Sequence, residues 1–244
     1  MHNFFVNENQ KQNNRFFING TDFNHIKNVL RMNIGDTFLI SENGASNLCE
    51  IESFESDTVI VKILQENYND TSLPIKIYLF QGLPKSDKME LIIQKAVELG
   101  ASRIVPVEMK RSVVKLDAKK AQAKISRWQG IAEAAAKQSK RDVIPVIGEL
   151  TTLKEALKEA ADFEVSMMPY ENAEGMAFTR KLLEGIQPGQ RVAIFVGPEG
   201  GFDESEVEAA LSMGTKPMTL GRRILRTETA GLAILSMLVY VLEV

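Results

Sequence analysis

Cysteine is almost absent from the 244-residue chain. Cys49 stands alone, which excludes a disulfide framework and any cysteine-based zinc site. Histidine is nearly as scarce: His2 and His25 both lie near the N-terminus, so neither a multi-histidine metal centre nor a His-dependent triad is expected. Residues 1–12 are polar and asparagine-rich and lack the apolar centre of a signal sequence. The longest apolar stretch, residues 230–242, is shorter than the ~18–20 residues of a membrane span and reads as a buried helix. A cytoplasmic protein without a membrane partner is expected. Missing too are GxGxxG and GxxxxGKS/T, the loops that cradle dinucleotides and nucleoside triphosphates. What remains is an ordinary globular composition, 44% hydrophobic and 25% charged. Its net charge of -3 argues against nucleic-acid binding by bulk charge.

Two grammars follow one another along the chain. Residues 1–65 read as short strands, several alternating in the half-buried manner of Val59-Ile60-Val61-Lys62-Ile63, with Asn43-Gly44 as a hairpin signal. One helix interrupts them at residues 22–32, with Thr21 or Asp22 as N-cap. Strands at this spacing suggest a small β-barrel, and residues 65–74 a linker. From Ile75 onward strands alternate with helices, which implies a mostly parallel sheet with both faces covered. Strands are expected at 75–83, 103–108, 163–168, 192–196 and 216–220, and helices at 88–99, 118–139, 152–161, 175–183, 204–213 and 227–242. The chain is thus α/β, divided into residues 1–72 and 73–244.

The second part centres on residues 191–202, RVAIFVGPEGGF. A buried apolar strand breaks into Gly197-Pro198-Glu199-Gly200-Gly201, and an acidic helix start follows. Strand, glycine turn, helix is how α/β proteins build ligand sites. This turn has no Lys, Ser or Thr to hold a phosphate, and Glu199, Asp203, Glu204 and Glu206 crowd it, so a neutral or cationic ligand suits it. A second loop, Gly221-Arg222-Arg223-Ile224-Leu225-Arg226, sets three arginines before a helix N-terminus, where the dipole disfavours cations. A bound phosphate or a carboxylate partner, Glu228 or Glu199, accounts for them equally well. A cationic small molecule and a polyanion meeting between the loops satisfies both; S-adenosylmethionine and RNA fit. Charge is also uneven elsewhere. Residues 1–72 hold five Lys and Arg against ten acidic residues, whereas residues 110–141 hold ten against two, Asp117 and Glu133. Lys120, Lys124 and Arg127 share one helical stripe, with Ala121, Ile125, Trp128 and Ala132 on another. Such a stripe is either a solvated face or an RNA surface. Lys27 and Arg31, four apart on the first helix, are a weaker pair of the same kind.

VGPEGGF followed by LGRRILRTETA resembles the RsmE family of 16S ribosomal RNA (uracil-N3) methyltransferases, in the SPOUT superfamily. Further matching pieces are residues 25–31 with Gly35-Asp36, Lys85-Ser86-Asp87-Lys88 with Glu90, and residues 134–139 with Arg141. The resemblance implies a PUA-like N-terminal RNA-binding barrel, a C-terminal SPOUT domain tied in a trefoil knot, and a homodimer acting on 16S rRNA within the assembled 30S subunit. It implies an S-adenosyl-L-methionine pocket of Gly197, Glu199, Gly200, Leu220, Gly221, Ile224 and Leu225, with Met168 as a third wall or a core residue. Arg226 is the expected catalytic cation. Glu228 is a candidate base or simply a helix N-terminal carboxylate. RNA contacts are expected from Lys27, Arg31, Arg111, Lys120, Lys124, Arg141 and Arg222. Lys137 stands where many relatives carry an acidic residue. A nucleotide-dependent dehydrogenase and a non-catalytic ribosome-assembly protein are the rival readings, the first disfavoured by the missing GxGxxG.

Overall fold

The computed structural model describes residues 1–171, 173 and 175–243. The chain forms two compact units, residues 1–72 with 136–144, and residues 73–135 with 145–244.

The first unit is a six-stranded sheet in the order β1-β4-β5-β6-β3-β2. Its strands are β1 (Asn3–Phe5), β2 (Lys11–Gln12), β3 (Arg15–Asn19), β4 (Thr37–Glu42), β5 (Ala45–Phe54) and β6 (Thr58–Asn69). Period-two alternation sends Phe16 and Ile18 of β3 and Val59, Val61 and Ile63 of β6 into one core with Phe4, Phe38, Ile40, Cys49 and Ile51. The sheet wraps that core without a ladder between β1 and β2 among the described residues, so the expected barrel is not closed by hydrogen bonds. Asn43 and Gly44 both have positive φ (50° and 83°) between the paired Glu42 and Ala45, the two-residue hairpin that Asn-Gly favours. The expected linker is partly strand, because β6 runs on to Asn69.

The helix expected at 22–32 starts earlier and ends earlier. Helix α1 (Gly20–Asn24), with Asn19 as N-cap, widens into a π-helical turn over His25–Val29. Arg31 lies beyond its end with φ 53°, in the left-handed region. Lys27 and Arg31 therefore do not share a helical face. Lys27 sits over the rings of Phe23 and Phe54 instead, at 5.1 and 5.9 Å. Lys137 pairs with Asp22 at 3.3 Å, which gives the cation at that position a partner within the unit.

The second unit has seven parallel strands: β7 (Lys76–Gly82), β8 (Arg103–Glu108), β9 (Val146–Ile147), β10 (Thr151–Thr152), β11 (Val165–Pro169), β12 (Arg191–Val196) and β13 (Lys216–Met218). Their order is β10-β8-β7-β12-β11-β13, with β9 also on β8. Helices α2 (Lys88–Glu98), α3 (Ala118–Ser139), α4 (Leu153–Ala160), α5 (Met176–Glu184), α6 (Glu204–Ser212) and α7 (Thr227–Leu242) follow the strands. Phe80 and Phe195 stack at 4.7 Å on neighbouring strands, in a core with Leu153, Leu157 and Val207 from α4 and α6. Alternation turns Leu79 to the other face, against α7, which packs on α2. On α3 the expected inner stripe is buried, Ala121, Ile125, Trp128 and Ala132 alike, and the lysine stripe is exposed. No helix among the described residues is long and apolar enough to cross a membrane. Between β7 and β12 the chain order reverses, from β8 and β10 on one side to β11 and β13 on the other. That reversal is where open α/β sheets leave a crevice at the carboxyl ends of their strands.

Candidate functional site

The crevice is present. A cavity of about 700 Å³, within the size range of small-molecule sites, lies at the carboxyl ends of β7, β11, β12 and β13. Residues 196–202 form one wall, 219–227 another, and Pro169, Tyr170 and Glu171 a third. Gly197, Glu199, Gly200, Leu220, Gly221, Arg222, Ile224, Leu225 and Arg226 all line it, as does Arg111. Met168 does not. It is fully buried in the core, because alternation along β11 turns it inward and leaves the residues after it to face the cavity.

The glycines have separate reasons. A Cβ on Gly197 would come within 3.1 Å of the Gly201 backbone, and one on Gly200 within 3.0 Å of Arg111 Cβ. Both are small because the protein itself presses on them. Gly221, at φ 106° with nothing near its Cβ position, is there for its backbone conformation.

Inside the loop the acidic side chains are already engaged. Asp203 caps α6 through Ser205 N–H, and Asp203 N–H and Lys110 N–H donate to the buried Glu206 at 2.9 and 2.7 Å. The Ser205 hydroxyl and the Lys110 ammonium hold the Asp203 carboxyl down at about 2, well below its ordinary value. Glu199 Oε1 accepts from Lys85 N–H at 3.0 Å and lies 3.1 Å from Lys88 Nζ. Burial disfavours its ionisation, but Lys85 N–H and Lys88 together keep its carboxyl below the usual range. The acidic crowding read from the sequence is therefore largely neutralised by pairing.

The arginines behave in the opposite way. Arg222, Arg223 and Arg226 are exposed, and their side chains make no hydrogen bond or ion pair among the described residues. Glu199 and Glu228, the candidate carboxylate partners, are both held by Lys88, at 3.1 and 3.3 Å. Ile224 is 88% exposed at the cavity mouth, an apolar side chain with no protein cover. Arg111 reaches back to Gly200, donating to its carbonyl at 3.2 Å, with Asp203 at 3.8 Å.

Of the other sequence-derived residues, Glu228 stands at the head of α7 and does not line the cavity. Lys120 pairs with Asp117 at 3.1 Å, and Lys124 lies over the Trp128 ring at 5.7 Å, both on the exposed stripe of α3. Lys27, Arg31 and Arg141 belong to the first unit. Arg141 is half-buried, and desolvation lowers its pKa from the ordinary arginine value.

Three residues escaped the sequence reading. Gln81 is fully buried, and its Nε2 donates to Thr227 Oγ1 at 2.8 Å and to Gly82 O at 3.0 Å. Thr227 Oγ1 donates in turn to Gly197 O at 2.6 Å. This relay ties β7, the glycine loop and the head of α7 together. The lone polar side chain in the apolar run Ile77–Leu83 was its signal. Lys88 appeared only within a motif, with no role attached.

Residues 71–239 match the model of the RNA methyltransferase domain, and residues 18–64 that of the RNA methyltransferase PUA domain. The chain is 41% identical to ribosomal RNA small subunit methyltransferase E of Bacillus subtilis, over 93% of this chain and 91% of that protein. It is 33% identical to the Mesomycoplasma hyopneumoniae protein of the same name, over 97% and 98%. The crystal structure of a ribosomal RNA small subunit methyltransferase E from Neisseria gonorrhoeae bound to S-adenosyl methionine is 30% identical. It superposes with a TM-score of 0.84 over 98% of this chain and 97% of that one. The cavity between the two loops thus belongs to a chain of the RNA methyltransferase family, a member of its ribosomal RNA small subunit methyltransferase E branch.

Proposed function

We propose that the protein methylates N3 of one uridine in 16S ribosomal RNA, with S-adenosylmethionine as methyl donor. One observation carries the reading: a small-molecule cavity whose mouth bares an uncovered apolar side chain, Ile224, beside three unpaired arginines. The first suits the flat face of an adenosine, the second a polyanion. Family membership and a cofactor-bound relative support the same pairing.

Gly197, Glu199, Gly200 and the segment Leu220–Leu225 would hold the cofactor, with Tyr170 as an aromatic wall and Met168 as the core residue of its two readings. The cofactor supplies an electrophilic methyl group on a sulfonium. The chain's part is to position the base, exclude water and steady the charge that appears on the pyrimidine oxygens as N3 loses its proton. Arg226 faces the cavity and is the first candidate for that charge. N3 lies on the pairing edge, so the uridine must be unpaired or flipped out. Residues 1–72 as an RNA-binding domain, 73–244 as the transferase, and phosphate contacts from Lys27, Arg31, Lys120, Lys124 and Arg222 complete the proposal, with the 30S subunit as substrate. A homodimer through α7 is supported by its outward Tyr240, 77% exposed within the mostly apolar second half of the helix. A trefoil knot is supported by the return of α7 from the edge strand β13 to Gly197 and Gln81 at the centre of the sheet.

Calorimetry with S-adenosylmethionine, NAD and ATP should register only the first. Mass spectrometry of 16S RNA from a deletion strain should lack 3-methyluridine, and restoration by the cloned gene should return it. Persistence of the modification without the gene refutes the reading.

A further inference from the structure

Besides the arginines, a cation of a different kind faces the cavity. Lys88 opens α2 and, among the described residues, is the only part of that helix to line the pocket. Its ammonium is fixed, with Glu199 Oε1 at 3.1 Å and Glu228 Oε2 at 3.3 Å. An ammonium carries three N–H donors, and the two ion pairs occupy at most two of them. The third is left over in a half-buried residue that borders the cavity. Glu228 Oε2 is shut off from solvent and meets the Lys88 ammonium as an ion pair without an aligned hydrogen bond. The approach to Lys88 is also specialised. Ser86 holds φ 56°, a left-handed conformation uncommon for a residue with a side chain, and the same turn directs Lys85 N–H to Glu199.

We propose that Lys88 is a catalytic residue whose remaining N–H contacts a pyrimidine oxygen of the target uridine and stabilises the charge developing there, with Glu199 and Glu228 as its positioning residues. The proposal rests on the methyl-transfer reading above. The N3 proton leaves to water, and the N3–carbon bond forms as the methyl–sulfur bond breaks, the electron pair staying on sulfur. Lys88 suits a neutral carbonyl better than a phosphate, because the triad as a whole carries one negative charge. That division leaves the phosphates to the unpaired arginines. It also separates a preorganised donor, already held by two carboxylates, from exposed guanidinium groups whose side chains have no partner to hold them.

The test uses 30S subunits from a methylation-deficient strain grown with or without 5-fluorouracil, since fluorine at C5 makes N3 more acidic. Losing a charged hydrogen bond in the transition state predicts a fall in turnover of about 10- to 100-fold for Lys88→Met on ordinary subunits. Most of that defect should disappear on fluorinated subunits, Lys88→Arg should be intermediate, and S-adenosylmethionine affinity by calorimetry should stay within about twofold. Glu228→Gln keeps the ammonium but frees it on one side. It should show a smaller defect with the same sensitivity to fluorine, and it keeps the idea testable if Lys88→Met unfolds. An equal defect on both kinds of subunit, or a loss of cofactor affinity large enough to explain it, overturns the role of Lys88 alone. Wild-type protein that leaves N3 unmethylated overturns the reading beneath it as well.

Discussion

Thr227→Val is the sharpest probe of how the cavity is held together. Valine keeps the shape of threonine and removes only the hydroxyl, which is buried between Gln81 and the Gly197 carbonyl. Two bonds are lost, but not equally. Gln81 Nε2 still has Gly82 O at 3.0 Å, whereas Gly197 O loses the donor it has at 2.6 Å. An orphaned buried carbonyl costs ~1–3 kcal/mol and a half-lost donor less, so the variant should be destabilised by about 2–3 kcal/mol. In urea that is a midpoint shift on the order of 1 M. Gln81→Leu should behave differently, although it breaks the same relay. Gln81 Oε1 is already buried without a partner, so its removal offsets part of the lost bond, and Thr227 can still donate to Gly197. The expected cost is below about 1 kcal/mol. Equal losses for the two variants would refute this accounting. So would an S-adenosylmethionine affinity untouched by Thr227→Val, because the carbonyl set free belongs to the loop that lines the cavity.

Arg111→Ala should weaken cofactor binding severalfold in the absence of RNA, since its guanidinium braces Gly200 from behind; unchanged cofactor affinity with weakened RNA binding would return it to the phosphate contacts. Gly200→Val tests the same contact from the other side and should lower stability along with affinity, given the 3.0 Å approach to Arg111 Cβ. Cys49 is fully buried, and burial pushes its thiol up to about 12, so a thiol reagent at pH 8 should label it only in denaturant. Labelling of the native protein at the free-thiol rate would contradict its place in the core. The Asp203 carboxyl is depressed to about 2 from an ordinary 3.8, chiefly by the Ser205 hydroxyl and then by Lys110. Its stabilisation is present above the unfolded value and disappears as pH falls through the folded one. The difference in unfolding midpoint between wild type and Asp203→Asn should therefore shrink between about pH 4 and pH 2, and a constant difference would exclude the carboxylate as its source.

What could be read in advance was local. Asn43-Gly44 specifies its hairpin by backbone conformation alone, and the α3 stripes follow from helical period. The turn at Gly197 follows from an apolar strand that runs into residues unable to continue it. Long-range pairing was hidden. Nothing in the spacing of Lys88, Glu199 and Glu228 says that one ammonium serves two carboxylates, nor that a glutamine in a buried strand reaches a threonine far along the chain. The π-helical widening at His25–Val29 was hidden for another reason. It ends the helix at Val29 and leaves Arg31 beyond it in a left-handed conformation, so Lys27 and Arg31 diverge although their spacing is four.

Charge shows the same limit and yields a measurable consequence. A count along the sequence sets four acids against the glycine loop and three arginines in the next. After folding most of the acids are paired within the protein, and the arginines are not. Only an unpaired cation brings a full charge to a phosphate and displaces a counterion from RNA. Each such contact contributes about 0.7–0.9 to the slope of log affinity against log salt. Arg222→Ala and Arg223→Ala should each flatten that slope by nearly one unit in 30S binding. Arg127→Ala should change it little. Arg127 lies in the most basic segment of the chain, but it faces Glu90 at 2.8 Å, so moving it to a phosphate would leave a carboxylate behind. Equal slopes for all three variants would mean that linear charge density governs RNA binding here, and pairing in the fold does not.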